Sequence, residues 1–155
     1  MQTTNELRKP DSPPPSVQAA VTLWLTAVAL GAFETVIMVS RTLLEGTATI
    51  AELAPGVGFR LAVFAGAVYL ALRLKGGANW ARWTLAATLG VFGTLSLVVE
   101  PARWLLDGGS IAAAAAGADA VTWVFAISRT LHVAAVLGAV ALMFQPRAAA
   151  YFTSA

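Results

Sequence analysis

Apolar residues fall into four long runs, which polar or glycine- and proline-containing segments separate. At about 1.5 Å per residue, a helix of roughly 20 residues crosses a hydrocarbon core of ~30 Å, and each run is close to that length. The pattern predicts an all-α fold, a four-helix transmembrane bundle. Its helices are expected over about residues 17–39, 57–74, 80–99 and 121–144.

The segments between these runs complete the predicted organisation. Residues 1–15 are polar and end in three prolines, which predicts an extended tail, and residues 146–155 form a short C-terminus. Residues 41–55 are predicted to be a mixed connection, and residues 102–109 a short stretch along the membrane surface after Pro101. Residues 111–118 are either an early extension of the fourth helix or a separate piece. A cleavable signal peptide is the competing interpretation of the first run, but that run is too long for one.

Basic residues predict the orientation of the chain. The connection between the second and third runs carries Arg73, Lys75 and Arg82 and no acidic residue, whereas the first and third connections mix arginines with carboxylates. By the positive-inside rule that second connection is cytoplasmic, and an even number of spans then places both termini in the cytoplasm as well. These three residues could also hold an anionic lipid headgroup, although enforcing topology is the favoured explanation.

Composition restricts the chemistry that the chain offers. Hydrophobic residues make up 58% and charged residues 12%, against about 25% charged in soluble domains. No cysteine and one histidine are present, so the sequence predicts no metal site and no cofactor. No cluster of basic residues suits nucleic acid, and no hydrolase or nucleotide-binding motif is found, so we expect no enzyme.

Small residues four apart mark predicted contacts between helices, because close packing holds helices together in lipid. Three of the four runs carry such a stripe. The stripes are Ala27, Gly31 and Thr35 in the first run, Ala86, Gly90 and Thr94 in the third, and Ala126, Thr130, Ala134 and Gly138 in the fourth. They predict a close-packed bundle, with some stripes available to partner chains.

Charged side chains inside the predicted spans form the candidate site. Glu34 is expected about 25 Å above the cytoplasmic boundary, in the outer half of the membrane. Arg60 lies at a similar predicted depth, and Arg129 and His132 descend from the outer end of the fourth span. In a four-helix ring Glu34 can pair with either arginine. Glu34 is then a structural counter-ion, or it titrates as a proton or cation site with His132 passing protons.

The stretch Asn79-Trp80-Ala81-Arg82-Trp83-Thr84-Leu85, followed by Gly90 and Gly93-Thr94-Leu95, resembles small four-span actinobacterial (mycobacterial-type) membrane proteins of uncharacterised function. The proline-rich lead into Val17, Ala20, Val21, Leu23 and Trp24 is similar as well. The resemblance covers most of the chain and implies a four-span fold and a plasma-membrane location. It implies no catalytic residue.

These observations favour a non-enzymatic accessory subunit of a larger complex in a bacterial plasma membrane, in contact with the bilayer and with other membrane subunits or further copies of itself. Two alternatives stay open. One is a small homo-oligomeric proton-coupled transporter that uses Glu34. The other is a phage-type holin or a membrane-bound exclusion protein.

Overall fold

A computed structural model describes residues 12–153 of the chain, and every regular element in that range is helical. Four of the helices are long and apolar enough to cross a membrane. The prediction of an all-helical fold with four long apolar helices is therefore confirmed. The helices of the described range are α1 (Pro15–Leu44), α2 (Ile50–Lys75), α3 (Asn79–Leu106), α4 (Ile111–Ala116), α5 (Ala120–Met143) and α6 (Pro146–Thr153). Most of the predicted tail, residues 1–11, lies outside the described residues.

The connection between α1 and α2 is shorter than the predicted residues 41–55. A capping box starts α2 early: the Thr49 hydroxyl accepts from the backbone N–H of Glu52, and the Glu52 carboxylate accepts from the backbone N–H of Thr49. This reciprocal pair satisfies two backbone donors that a helix start leaves free. Pro55 is consequently inside α2, so the predicted helix boundary at this residue is wrong.

The predicted stop of the third helix at Pro101 is also wrong. Helix α3 continues through Pro101 to Leu106, and the turn follows at Gly108, whose φ of 92° is a left-handed conformation that glycine adopts without strain. Proline removes one backbone donor, and residues 98–103 around it are exposed, so its ring meets no packed neighbour there. Residues 102–109 are therefore not a separate surface stretch. Helix α4 is a separate piece, because α5 begins anew after its N-cap Asp119.

Helix α1 is the centre of the packing. It contacts α5 over much of its length and α2 less extensively, while α3 contacts α5 and packs against α2 mainly through Asn79–Leu85. The apolar core lies at the end of the bundle where α1 begins and α5 ends, here called the closed end. Its largest fully buried side chains are Val17, Trp24, Leu74, Leu85 and Met143. At the opposite, open end α2 and α3 have few close contacts.

Helix α6 covers the closed end, where the sequence predicts only a short C-terminus. Ala148, Tyr151 and Phe152 are buried against the core, and the Tyr151 hydroxyl donates to the carbonyl oxygen of Lys75 at 3.0 Å. Spacings of three and four residues place these three side chains on one face of the helix. The C-terminal residues thereby fix the turn between α2 and α3.

The three predicted packing stripes differ in how far they are buried. In α1, Ala27, Gly31 and Thr35 are buried. In α3, Ala86, Gly90 and Thr94 are half-buried, and Gly90 faces Val140 of α5. In α5 most of the stripe makes no internal contact: Ala126, Thr130 and Ala134 are exposed, and of its four residues Gly138 meets α1, at Leu23. Residues four apart drift by about 40° per step around a helix, so a long stripe leaves the contact face. The buried face of α5 is instead formed by Ser128, Ala135, Val136, Ala139 and Met143.

Candidate functional site

Glu34 is a buried carboxylate on α1, with 4% of its surface exposed. Gly31, one turn before it, lets neighbouring helices approach closely. A methyl group at Gly31 would come within 3.0 Å of both His132 of α5 and Phe64 of α2. The absence of a side chain at Gly31 therefore makes room for the imidazole beside Glu34.

Helix α5 supplies two hydrogen bonds to the Glu34 carboxylate. Arg129 donates from Nε to Oε2 at 2.8 Å, and the neighbouring Ser128 hydroxyl donates to Oε1 at 3.4 Å. The Arg129 guanidinium also lies 5.0 Å from the centre of the Phe125 ring. Charge-assisted bonds of this kind are shorter and stronger than neutral ones, so Arg129 is the principal partner of Glu34.

His132 lies on the other side of the same carboxylate. Its Nδ1 is 3.4 Å from Oε1 of Glu34, close enough for an electrostatic contact. The geometry does not align a hydrogen bond, and Nδ1 has no hydrogen-bond partner among residues 12–153. The histidine is consequently an electrostatic neighbour of the ion pair and not a hydrogen-bonded relay in this structure.

Arg60 joins the cluster without touching Glu34. Its Nη1 lies 3.5 Å from Oγ1 of Thr35 and 3.6 Å from Sδ of Met38, both at the outer limit of hydrogen bonding. Within the described part of the chain no carboxylate lies within salt-bridge distance of Arg60. Of the two partners that the sequence allows for Glu34, the structure therefore has Arg129.

A cavity of about 460 Å³ lies beside this cluster, between α1, α2, α3 and α5. Glu34, Arg60, Arg129 and His132 all line it. Residues Ala86–Gly93 of α3 are wound as a π-helix, and Leu89 and Gly93 of this segment line the cavity as well. Such segments are frequent at functional sites. A larger, shallower groove of about 940 Å³ follows the last turns of α3 and lies outside the cluster.

The predicted headgroup site at Arg73, Lys75 and Arg82 is not formed as one surface. Arg73 and Lys75 are exposed, and Arg73 donates from Nε to the Tyr69 hydroxyl at 3.0 Å. Arg82 is buried, and α6 is the reason, because this helix folds back over it. The three side chains therefore do not share an accessible site.

Aromatic rings enclose the Arg82 guanidinium. Its centre lies 4.7 Å from the ring of Phe144, 5.1 Å from Phe152 and 5.5 Å from Trp83. Its Nε and Nη1 have no hydrogen-bond partner among residues 12–153. Sequence reasoning missed this enclosure, although Pro146 at a helix start and the spacing of Ala148, Tyr151 and Phe152 signal the amphipathic helix that builds it.

No protein-family model, no curated protein and no solved structure matches this chain.

Proposed function

We propose that the chain is an integral protein of a bacterial plasma membrane, which it crosses four times with α1, α2, α3 and α5. The length and apolar composition of these helices support the proposal. Large apolar side chains such as Phe59 and Phe92 are more than two thirds exposed, which suits contact with lipid and is costly in water. Each of the four long apolar runs of the sequence lies in one of these helices.

In the proposed orientation the closed end faces the cytoplasm, together with both termini. The turn at this end carries Arg73 and Lys75, and no carboxylate lies between them and Asn79. The open end carries Glu45, Glu52 and Asp119. Partly exposed tryptophans occur near both ends, Trp80 at the closed end and Trp104 at the open end, where aromatic belts are expected.

Within the membrane the chain acts as a non-enzymatic accessory subunit of a larger complex. The carrying observation is that Arg129 neutralises Glu34, with Ser128 as a second donor to the same carboxylate. With both bonds coming from α5, the buried carboxylate has the contacts of a structural counter-ion that joins α1 to α5. The exposed residues Ala126, Thr130 and Ala134 of α5 give a flat surface on which a partner helix packs closely.

One observation favours a second function, a small homo-oligomeric proton-coupled transporter. His132 lies 3.4 Å from Glu34 at a cavity within the bundle, so a titratable pair faces a space that an ion or substrate can enter. In this function Arg129 releases Glu34 during the transport cycle. The two functions make opposite predictions for the stability and the proton-coupled flux of Glu34 variants.

Reporter fusions test the placement in the membrane. Fusions after Gly77 and after Ala155 should report the cytoplasm, while fusions after Gly46 and after Gly108 should report the outside. All four positions lie beyond the ends of long helices, so that each reporter follows complete spans. A cytoplasmic signal at Gly108 is incompatible with four spans.

Purification in a mild detergent, with mass spectrometry of the proteins recovered, tests the accessory role. A stoichiometric larger complex is expected, and Ala134→Phe on the exposed stripe of α5 should reduce its recovery. Ala65→Phe, an identical change on the exposed face of α2, is the control and should leave recovery unchanged. Recovery of a homodimer alone, with or without the substitution, would favour the transporter.

A further inference from the structure

We propose that the cavity beside Glu34 binds a single-chain amphipathic anion. Its oxyanion head lies at Arg60, and its apolar tail lies against the apolar lining nearer the closed end. The head is a phosphate or a carboxylate, since a guanidinium binds either through paired hydrogen bonds. The inference rests on the proposed location in the membrane, because a lipid-like ligand reaches the cavity from the bilayer.

The charges around the cavity call for an anion. Two arginines and one carboxylate line it, and the carboxylate of Glu34 is already bound to Arg129. Arg60 is left with contacts of 3.5 Å and 3.6 Å to neutral groups. A cation inside the hydrocarbon region is costly unless something pairs with it, so the Arg60 guanidinium is a charge in need of a partner.

The polarity of the cavity changes along the bundle. Arg60 and Thr35 lie on its side towards the open end. Ala67 follows Arg60 by about 10 Å along α2, and Trp24 precedes Thr35 by about 16 Å along α1, both towards the closed end. The lining at that depth, which includes Leu89 and Val136, is apolar. A ligand with a charged head and an apolar tail matches this gradient. An inorganic ion matches only the polar part of the cavity, near the open end.

A lateral opening between α2 and α3 gives such a ligand an entry. The two helices pack together mainly beside their connecting turn, and both contribute residues to the cavity. Phe59 of α2 and Ser96 of α3 line the cavity and are exposed, so they form its rim on the two sides of the opening. The π-helical segment of α3 contributes Leu89 and Gly93 to the cavity lining. A chain lying in the bilayer can thus enter without crossing the closed end.

The volume fits one chain. Small-molecule sites in proteins enclose about 300–1,000 Å³, and the cavity holds about 460 Å³. A ligand with two acyl chains would leave one of them outside, in lipid. The proposal therefore commits to a single chain within the cavity.

Native mass spectrometry of the full chain in a non-ionic detergent measures the binding. The probes are oleoyl-lysophosphatidylglycerol and oleate, which carry the same chain with a phosphate or a carboxylate head. We expect at least one of them to bind, with an affinity that falls tenfold or more in Arg60→Gln. Arg103→Gln, the same change at an exposed position of α3, should leave the affinity within twofold. Which probe binds more tightly distinguishes the two heads.

Two further arms test the two halves of the ligand. Mono-oleoylglycerol keeps the chain without a charge, and glycerol 3-phosphate keeps the phosphate head without a chain. Both should bind at least tenfold more weakly than the better of the two anionic probes. Val63→Phe fills the cavity lining and should weaken binding of that probe while Arg60 is intact.

Several results would overturn the inference: binding of neither anionic probe, equal binding of mono-oleoylglycerol or glycerol 3-phosphate, or equal affinity of the wild type and Arg60→Gln. Melting temperatures of all variants check that they are folded. Failure here leaves the reporter topology and the recovery of the complex unchanged, so it is distinguishable from failure of the proposed function.

Discussion

Arg129 of α5 donates from Nε to Oε2 of Glu34 in α1 across 2.8 Å. This bond joins the two helices that pack together most extensively, at a level where α2 and α3 have separated. It therefore stabilises the open end, which lacks the apolar core of the closed end. Arg60, at the same cavity, has no comparable partner among the described residues.

Gly31 should be sensitive to the smallest substitution. In Gly31→Ala the new methyl group displaces the His132 and Phe64 rings by a few tenths of an ångström. Overpacking costs about 1–3 kcal/mol, and the gain in helix propensity returns about 0.5–1 kcal/mol, so we expect a net loss of stability. Thermal unfolding in detergent measures it.

Gly66→Ala is the matched control for Gly31→Ala. Nothing lies within 4 Å of a methyl group at Gly66, so only the propensity gain applies and the melting temperature should stay the same or rise. Equal melting temperatures for the two variants would contradict the close packing of Phe64 and His132 against Gly31.

Asp119 should make the stability of the α5 start depend on pH. Hydrogen bonds from the side chain and backbone of Thr122, with Arg41 nearby, hold the pKa of its carboxyl below the ordinary 3.8. A depressed pKa in the folded state stabilises the fold fully above that ordinary value, and the contribution is lost as pH falls through the lower folded value.

The variant Asp119→Asn isolates this contribution, because asparagine still caps the helix but does not titrate. The difference in melting temperature between wild type and variant should be constant above about pH 5 and should shrink below about pH 4. A difference that is the same at pH 3 and pH 6 would show that the carboxylate is not the stabilising group.

Arg82 should contribute little to stability through its charge. Stacking on aromatic rings is worth about 0.5–2 kcal/mol, whereas each buried donor without a partner costs about 1–3 kcal/mol. Its Nε and Nη1 are two such donors in the described structure. Arg82→Met should therefore leave the melting temperature in detergent unchanged or raise it.

Arg82→Lys is the comparison that separates charge from shape. Lysine keeps the charge and loses the planar stacking on Phe144 and Phe152, so its melting temperature should be lower than that of Arg82→Met. The reverse order would mean that the positive charge itself stabilises the closed end.

The length of the apolar runs predicts the four long helices well, because each helix is a nearly unbroken apolar run. The sequence misplaces two helix ends, because it predicts a boundary at Pro55 and at Pro101 and both prolines lie inside helices. The signal for the start of α2 was present as Thr49 and Glu52, three residues apart. No comparable local motif around Pro101 indicates that the third helix continues to Leu106.

The candidate site was predictable in part. Glu34 and its possible partners follow from the rarity of charge in apolar runs and from the depth of each residue. The choice of Arg129 over Arg60 depends on how α5 rotates about α1, which the sequence does not specify. The enclosure of Arg82 depends on α6 folding back, a tertiary contact that spacing within α3 does not reveal.

The most direct test of the central claim is a comparison of Glu34→Gln with the double variant Glu34→Gln/Arg129→Met, by melting temperature in detergent and by proton-coupled flux in vesicles. If Glu34 is a structural counter-ion, the single change leaves Arg129 unpaired and costs about 3–5 kcal/mol, and the double variant recovers part of that loss. Adding Arg60→Met to Glu34→Gln instead should recover none of it. We predict this pattern, with no flux for the wild type or the variants. A Glu34→Gln protein as stable as the wild type, with pH-driven flux present in the wild type and lost in the variant, would contradict the account.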